Sequence, residues 1–227
     1  MLRIIFEDNH LIAINKRSGD IVQGDKTGDK PLSDDVKEYI KTKYNKPGEV
    51  FLGTIHRIDR PVTGIVLFAR TSKALERMNE QFREREVEKV YWAIVKKTPD
   101  IPEATLVHYL TKDESKNKSR AYLVEKKGTS RCELKYTTLV KADNYTLLQV
   151  NPMTGRHHQI RVQLSTIGSP IKGDLKYGAE RSNPDGSISL HARKLTFTHP
   201  VTKETITLEA RPPDDPLWNY FLQQLQS

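Results

Sequence analysis

The chain has 227 residues, 36% of them hydrophobic and 29% charged, with a formal net charge of +8 and a pI near 9.4. That length suits one large domain or two closely packed lobes with a real core, and the composition excludes a disordered chain. The excess of positive charge favours a polyanionic partner, with nucleic acid ahead of an acidic membrane surface.

In chain order, LRIIFE and HLIAINK are expected as strands joined at the turn-prone Asp8-Asn9. Residues 16–31 are polar and rich in turn signals, and read as loop. LSDDVKEYIKTKY is expected as a helix capped by Ser33, with Asp34 and Asp35 at its positive end and Val36, Tyr39 and Ile40 on one face. FLGTIHRID and TGIVLFAR read as strands on either side of Arg60-Pro61. SKALERMNEQFRERE follows as a helix with Ser72 as cap and Leu75, Met78 and Phe82 as its apolar stripe. VYWAIV reads as a strand. After the break at residues 99–102 come four β-type segments, ATLVHYL, RAYLVE, CELKYTTLV and YTLLQV. RHHQIRVQLSTIG has Ile160, Leu164 and Ile167 at helical spacing and Gly168 as a stop. LHARKLTFTH and ETITLEA read as late strands and DPLWNYFLQQLQ as a closing helix, whose Trp218 and Phe221 suit a core seam ahead of an interface. Strands joined by short turns imply a mainly antiparallel sheet with helices packed on it, an α+β class. Residues 1–227 are expected to form a single domain.

The single cysteine, Cys132, excludes an internal disulfide and fits a reducing compartment; within RCELKYTTL it reads as a structural thiol. The chain has no CxxC or HExxH, and the adjacent His157 and His158 cannot share a helix face, so no metal is expected. No apolar run approaches the ~20 residues of a membrane span, and MLRIIFEDNH is charged too early for a signal peptide. A cytoplasmic protein with no membrane partner is expected. GDLKYG and QGDKTG lack the spacing of nucleotide-binding loops.

Residues 56–64 read HRIDRPVTG and place one carboxylate, Asp59, between Arg57 and Arg60. If TIHRID is extended, Arg57 and Asp59 share one face and His56 and Ile58 the other. Opposite charge on either side favours the carboxylate form that a nucleophile needs, and offsets its repulsion from phosphates. A structural ion pair would leave the same pattern, and spacing alone does not separate the two.

HRIDRPVTGIVLFART resembles the HRLDxxTSGxLLxAK signature of the RluA-type RNA pseudouridine synthases. EKVYWAIV resembles that family's K-x-Y-x-A-x-V strand. TGRHHQIRVQLSTIGSPIKGDLKYG resembles its TGRxHQIRVHLxxxGxPIxGDxxYG segment. The opening IIFEDNHLIAINKRSG is similar to the start of the family's catalytic domain, so the resemblance spans nearly the whole chain. It implies a mixed, mainly antiparallel sheet with flanking helices. It also implies isomerisation of uridine to pseudouridine in a structured RNA, ribosomal or transfer, with no cofactor or metal.

Carried over, Asp59 is the catalytic aspartate, Arg161 its basic partner and Tyr91 the tyrosine that stacks on the uracil. Arg57 matches the residue that fills the gap left by a flipped base, with a phosphate contact as the alternative, and Arg57 and Arg60 are further candidate partners of Asp59. Gly155, Arg156, His158 and Gln159 are expected to shape the pocket wall or touch RNA. Lys89, Lys172 and the run KDESKNKSR are candidate phosphate contacts; for the run, a solvated loop is the equal alternative.

The sequence departs from the family in several places. Many members of the family carry an N-terminal S4-like RNA-binding domain; this chain is expected to lack one and to begin directly at the catalytic lobe. Asn15-Lys16-Arg17 stands for Asn-Lys-Pro, Val62-Thr63-Gly64 for Thr-Ser-Gly, and Gln163 for the usual histidine. A monomer is expected. The competing reading is a non-catalytic RNA-binding or ribosome-assembly factor on the same scaffold. An aspartate-nucleophile phosphatase would want a DxD-like pair, which is absent beside Asp59.

Overall fold

The structure is a computed structural model, and it describes residues 2–24 and 28–226; residues 25–27 of the expected 16–31 loop lie outside the described residues. In chain order the elements are β1 (Ile4–Glu7), β2 (Leu11–Lys16), α1 (Leu32–Lys43), β3 (Gly53–Thr54), β4 (Thr63–Ala69), α2 (Ser72–Glu84) and β5 (Glu88–Val95). There follow β6 (Glu103–Asp113), β7 (Lys118–Tyr122), β8 (Ser130–Lys141), β9 (Thr146–Pro152) and α3 (Gln159–Thr166). A 3-10 turn at Leu175–Tyr177, β10 (Leu190–Thr198), β11 (Thr205–Glu209) and α4 (Pro216–Gln224) complete the chain. The class is the expected α+β, a mostly antiparallel sheet flanked by four helices among the described residues. The chain divides into two compact units, Met1–Glu88 with Ala192–Pro212, and Lys89–His191 with Pro213–Ser227.

In the first unit the strand order is β1-β2-β4-β10-β11, with the short β3 also on β4. Asp8 makes the first turn: its Oδ1 accepts the His10 and Leu11 amides, both at 2.7 Å. One face of β2 and β4 presents Leu11, Ala13, Ile65 and Leu67, which pack with Ala74 and Met78 of α2 and with Leu195 and Phe197 of β10. The alternate residues Ile12, Ile14, Val66 and Phe68 are buried as well, so these strands are covered on both faces. Both expected helix caps lie elsewhere. Helix α2 is capped by Thr71, whose Oγ1 accepts the Ala74 amide at 3.2 Å, and Ser72 is already helical. The cap position of α1 is Pro31, with no side-chain bond, and Ser33 is inside the helix. Asp34 and Asp35 in the first turn and Lys41 and Lys43 in the last complement the dipole of α1.

In the second unit the strand order is β5-β9-β8-β6-β7, each pairing antiparallel. Val90, Trp92 and Ile94 on one face of β5 meet Trp218 and Phe221 of α4, which makes those two aromatics core, as expected. Asp215 caps α4 by accepting the Leu217 and Trp218 amides, and Pro216 opens the helix where no amide is needed. Cys132 on β8 is fully buried and its thiol donates to the His108 carbonyl at 3.3 Å; burial pushes that thiol up to about 11. Among the described residues no helix is long and apolar enough to cross a membrane.

Candidate active site

The segment around Asp59 is not the extended strand that its alternation suggested. β3 stops at Thr54, and residues 55–62 run as irregular chain to β4. Ile55 and Ile58 are both buried at 9% exposure, although a strand would turn them to opposite faces. His56 anchors the segment: its Nε2 accepts the Leu67 amide at 3.1 Å, and its ring stacks on Phe82 with centroids 5.1 Å apart. The Asp59 carbonyl then accepts the Val62 amide at 3.0 Å, which closes a turn over Arg60-Pro61. The turn leaves Asp59 half-buried and Arg57 and Arg60 exposed. The Arg60 guanidinium pairs with Asp29 at 2.8 Å.

Beside this turn lies a residue that the motif reading passed over. Lys16, at the end of β2, is only 1% exposed. Its ammonium donates to the Arg17 carbonyl at 2.8 Å and to the Arg60 carbonyl at 3.0 Å, so it ties β2 to the backbone next to Asp59. Burial drives the Lys16 ammonium down to about 8; the carboxylates of Asp20 and Asp59 act against that, and the Arg60 charge acts with it. At neutral pH Lys16 is therefore charged, and its charge is felt at Asp59. Gly64 fixes the far end of the segment. Its φ is +111°, and a Cβ there would fall 2.3 Å from the Ala192 carbonyl oxygen.

The second unit carries the other expected residues. Tyr91 on β5 alternates with Val90 and Trp92 and so faces away from the aromatic core of α4, half-buried on the same side as Lys89. Arg161, in the first turn of α3, is 5% exposed, a buried guanidinium on a helix that is buried through Leu164. Asp174 grips it through two bonds, Nε to Oδ2 at 2.7 Å and Nη2 to Oδ1 at 2.9 Å. The Tyr177 ring lies 5.1 Å from the guanidinium carbon. The Tyr177 hydroxyl accepts the Ser119 amide at 2.8 Å and lies 2.9 Å from His158 Nδ1. Burial, joined by the positive charges of Arg161, His157, Lys176 and Lys112, drives His158 down to about 2, so its imidazole is neutral.

The loop before α3 is built around Gln159. Its Oε1 accepts the Thr154 hydroxyl at 2.7 Å and the Arg156 amide at 3.0 Å, and its Nε2 donates to the Glu133 carbonyl at 3.0 Å. Gln159 and His158 are buried and shape this loop, while Gly155 and Arg156 are exposed on it. Lys172 is half-buried and donates to Asn183 Oδ1 at 2.5 Å. Among the described residues no group of three or more His, Cys, Asp or Glu side chains is placed to hold a metal ion. Asp59 with Arg57, Arg60 and Lys16 thus belongs to the first unit, and Tyr91, Arg161 and the rest to the second. Two residues were within reach of sequence reasoning and were missed. Lys16 ends an apolar run on a doubly covered strand, and Asp174 stands inside GDLKYG, the end of the third motif, where it was given no role.

Comparison with known proteins bears on what this arrangement is for. A family model described as RNA pseudouridylate synthase matches residues 10–166. The chain is 34% identical over 225 residues to a ribosomal large subunit pseudouridine synthase C of Buchnera aphidicola, covering 96% of this chain and 69% of that protein. The same named enzyme of Vibrio vulnificus is 33% identical over 91% of this chain and 64% of its own length. The chain therefore spans roughly two thirds of these ribosomal relatives. A tRNA pseudouridine synthase C of Haemophilus ducreyi is 35% identical, with 92% of this chain and 90% of that protein covered. In architecture the chain is similar to human RNA pseudouridylate synthase domain containing 4, with a TM-score of 0.79, 24% identity and coverage of 99% and 93%.

Proposed function

Because the chain belongs to the RNA pseudouridylate synthase family, we propose that it isomerises uridine to pseudouridine in ribosomal or transfer RNA, in the cytoplasm and with residues 1–227 acting as one catalytic domain. The C1′–N1 bond of the target nucleoside breaks, the freed uracil turns in place, C5 joins C1′, and the C5 proton leaves. Asp59 is the group that starts this, by attack on C1′ or by taking the C2′ proton. The observation that supports its role most is its setting: a half-buried carboxylate on a tight irregular turn, in the field of the buried Lys16 ammonium. Such a carboxylate is held in place and need not be desolvated from scratch.

Arg161 serves as the cationic partner of Asp59, and Tyr91 stacks on the uracil. Two observations support this reading: Arg161 is buried and held by Asp174, and Tyr91 lies outside the core of its own unit. C1′ and C5 are inaccessible in stacked RNA, so the target nucleotide is flipped out, at a cost of a few kcal/mol. Arg57, exposed two residues before Asp59, stacks where the base was. Arg60, Lys89, Arg156 and Lys172 contact the RNA backbone. The reaction needs no metal or cofactor.

The test is tritium release from RNA labelled at uridine C5, with wild type compared to Asp59→Asn. Release by wild type alone supports the reading. No release by either protein, with tight RNA binding retained and a known synthase active on the same RNA, replaces it with a binding factor on the same scaffold.

A further inference from the structure

A buried ion pair is a poor device for stability alone, since an apolar pair of similar volume does as well once both ions have lost their water. Asp174 and Arg161 are nonetheless 1% and 5% exposed and doubly bonded. What the pair does supply is direction. A carboxylate on the Nε–Nη2 edge fixes the plane of the guanidinium and hence the direction of its Nη1 side. The guanidinium carbon lies over the Tyr177 ring, whose hydroxyl is pinned between Ser119 and His158. The backbone that delivers Asp174 is equally constrained. Its amide donates to the Ile171 carbonyl, and its carbonyl accepts the Tyr177 and Ala179 amides, all at 3.0 Å. The preceding Gly173 has φ +88°, and a Cβ there would meet Asn183 Cγ and the Ser187 carbonyl oxygen at 2.8 Å. A neutral His158 places no second cation beside Arg161.

We propose that Asp174 is a positioning residue for the isomerisation: it aims the remaining side of Arg161 at the anion that Arg161 serves during the reaction, with Tyr177 as the lid of the clamp. This rests on the reading above, in which Arg161 is the partner of Asp59. Asp174 itself touches no reacting atom. Groups that orient a metal's ligands change activity by about 10–100-fold when removed, and a clamp that orients a guanidinium is expected to matter on the same scale.

Single-turnover pseudouridylation and RNA affinity are measured for wild type, Asp174→Asn, Arg161→Ala and the double variant, each checked for folding by circular dichroism. The expected result is a loss of about 100-fold in rate for Asp174→Asn with RNA affinity within about threefold, and a double variant no slower than Arg161→Ala alone. A folded Asp174→Asn within about threefold of the wild-type rate overturns the proposal, as do losses that multiply in the double variant. Should Asp174→Asn not fold, Asp174→Glu keeps the charge and displaces it by one methylene; a loss of about 10-fold is expected, and an unchanged rate overturns the proposal. Wild type inactive on every RNA, beside an active known synthase, would instead remove the reading on which the proposal rests.

Discussion

Replacing Lys16 with methionine tests whether its burial costs what the structure implies. The ammonium is 1% exposed and is driven from 10.5 to about 8. That gap corresponds to about 3 kcal/mol between the charged and neutral forms. The folded chain holds this proton less tightly than the unfolded chain does. Below about pH 8 the folded state therefore bears the full cost of a buried ammonium, and the cost fades as pH rises toward 10.5. Over the range from about pH 7.5 to about pH 10, wild type should gain about 2 kcal/mol in stability relative to Lys16→Met. At the lower pH the comparison is closer to even, because methionine also loses two bonds to carbonyls, of which Arg60 O keeps the Gly19 amide. Urea unfolding followed by far-UV circular dichroism at the two pH values measures the difference, and other titrating groups cancel between the proteins. A difference that stays constant within about 0.5 kcal/mol would refute the reasoning.

Activity should carry the same signature. Single-turnover rates on RNA should fall as pH passes about 8, where Lys16 loses the charge felt at Asp59; a flat profile through that region would sever the link. Gly64→Ala should cost about 2–4 kcal/mol, because the Cβ meets the Ala192 carbonyl at 2.3 Å in a backbone conformation that alanine disfavours. Thermal unfolding with an unchanged midpoint would contradict that. Gln159→Leu should cost about 1–3 kcal/mol by stranding the Arg156 amide and leaving the Thr154 hydroxyl only the Glu133 carbonyl, 3.4 Å away, to donate to. Faster hydrogen exchange at the Arg156 amide is the measurement, and unaltered exchange would show that the loop has other support.

Periodicity made most of the elements legible. The stripe of Leu75, Met78 and Phe82 does face the core, and Trp218 and Phe221 do meet β5. The failures have local causes. TIHRID alternates like a strand, yet Pro61 has no amide to donate and His56 spends its ring nitrogen on Leu67, so the chain folds inward after Thr54. Thr71 takes the cap from Ser72 because it is the residue still in extended backbone, with its oxygen in reach of the Ala74 amide. The Asp59 segment stood out in sequence because its residues are contiguous. Lys16 and Asp174 did not, because their partners lie 44 and 13 residues away and only folding makes them neighbours. Arg161 was identified through its motif; that the Asp174 carboxylate holds it was invisible there.

The single thiol of the chain gives it a built-in clock. Alkylating reagents attack thiolates, and a fully buried thiol held at about 11 offers almost none at neutral pH. Labelling of Cys132 therefore waits for the β6–β8 ladder to part, and its rate counts openings of the second unit. Lys16, Asp59 and Gly64 lie in the other unit. Substitutions there that leave the labelling rate unchanged act on their own unit alone, and any that quicken it reveal that the two halves share their stability.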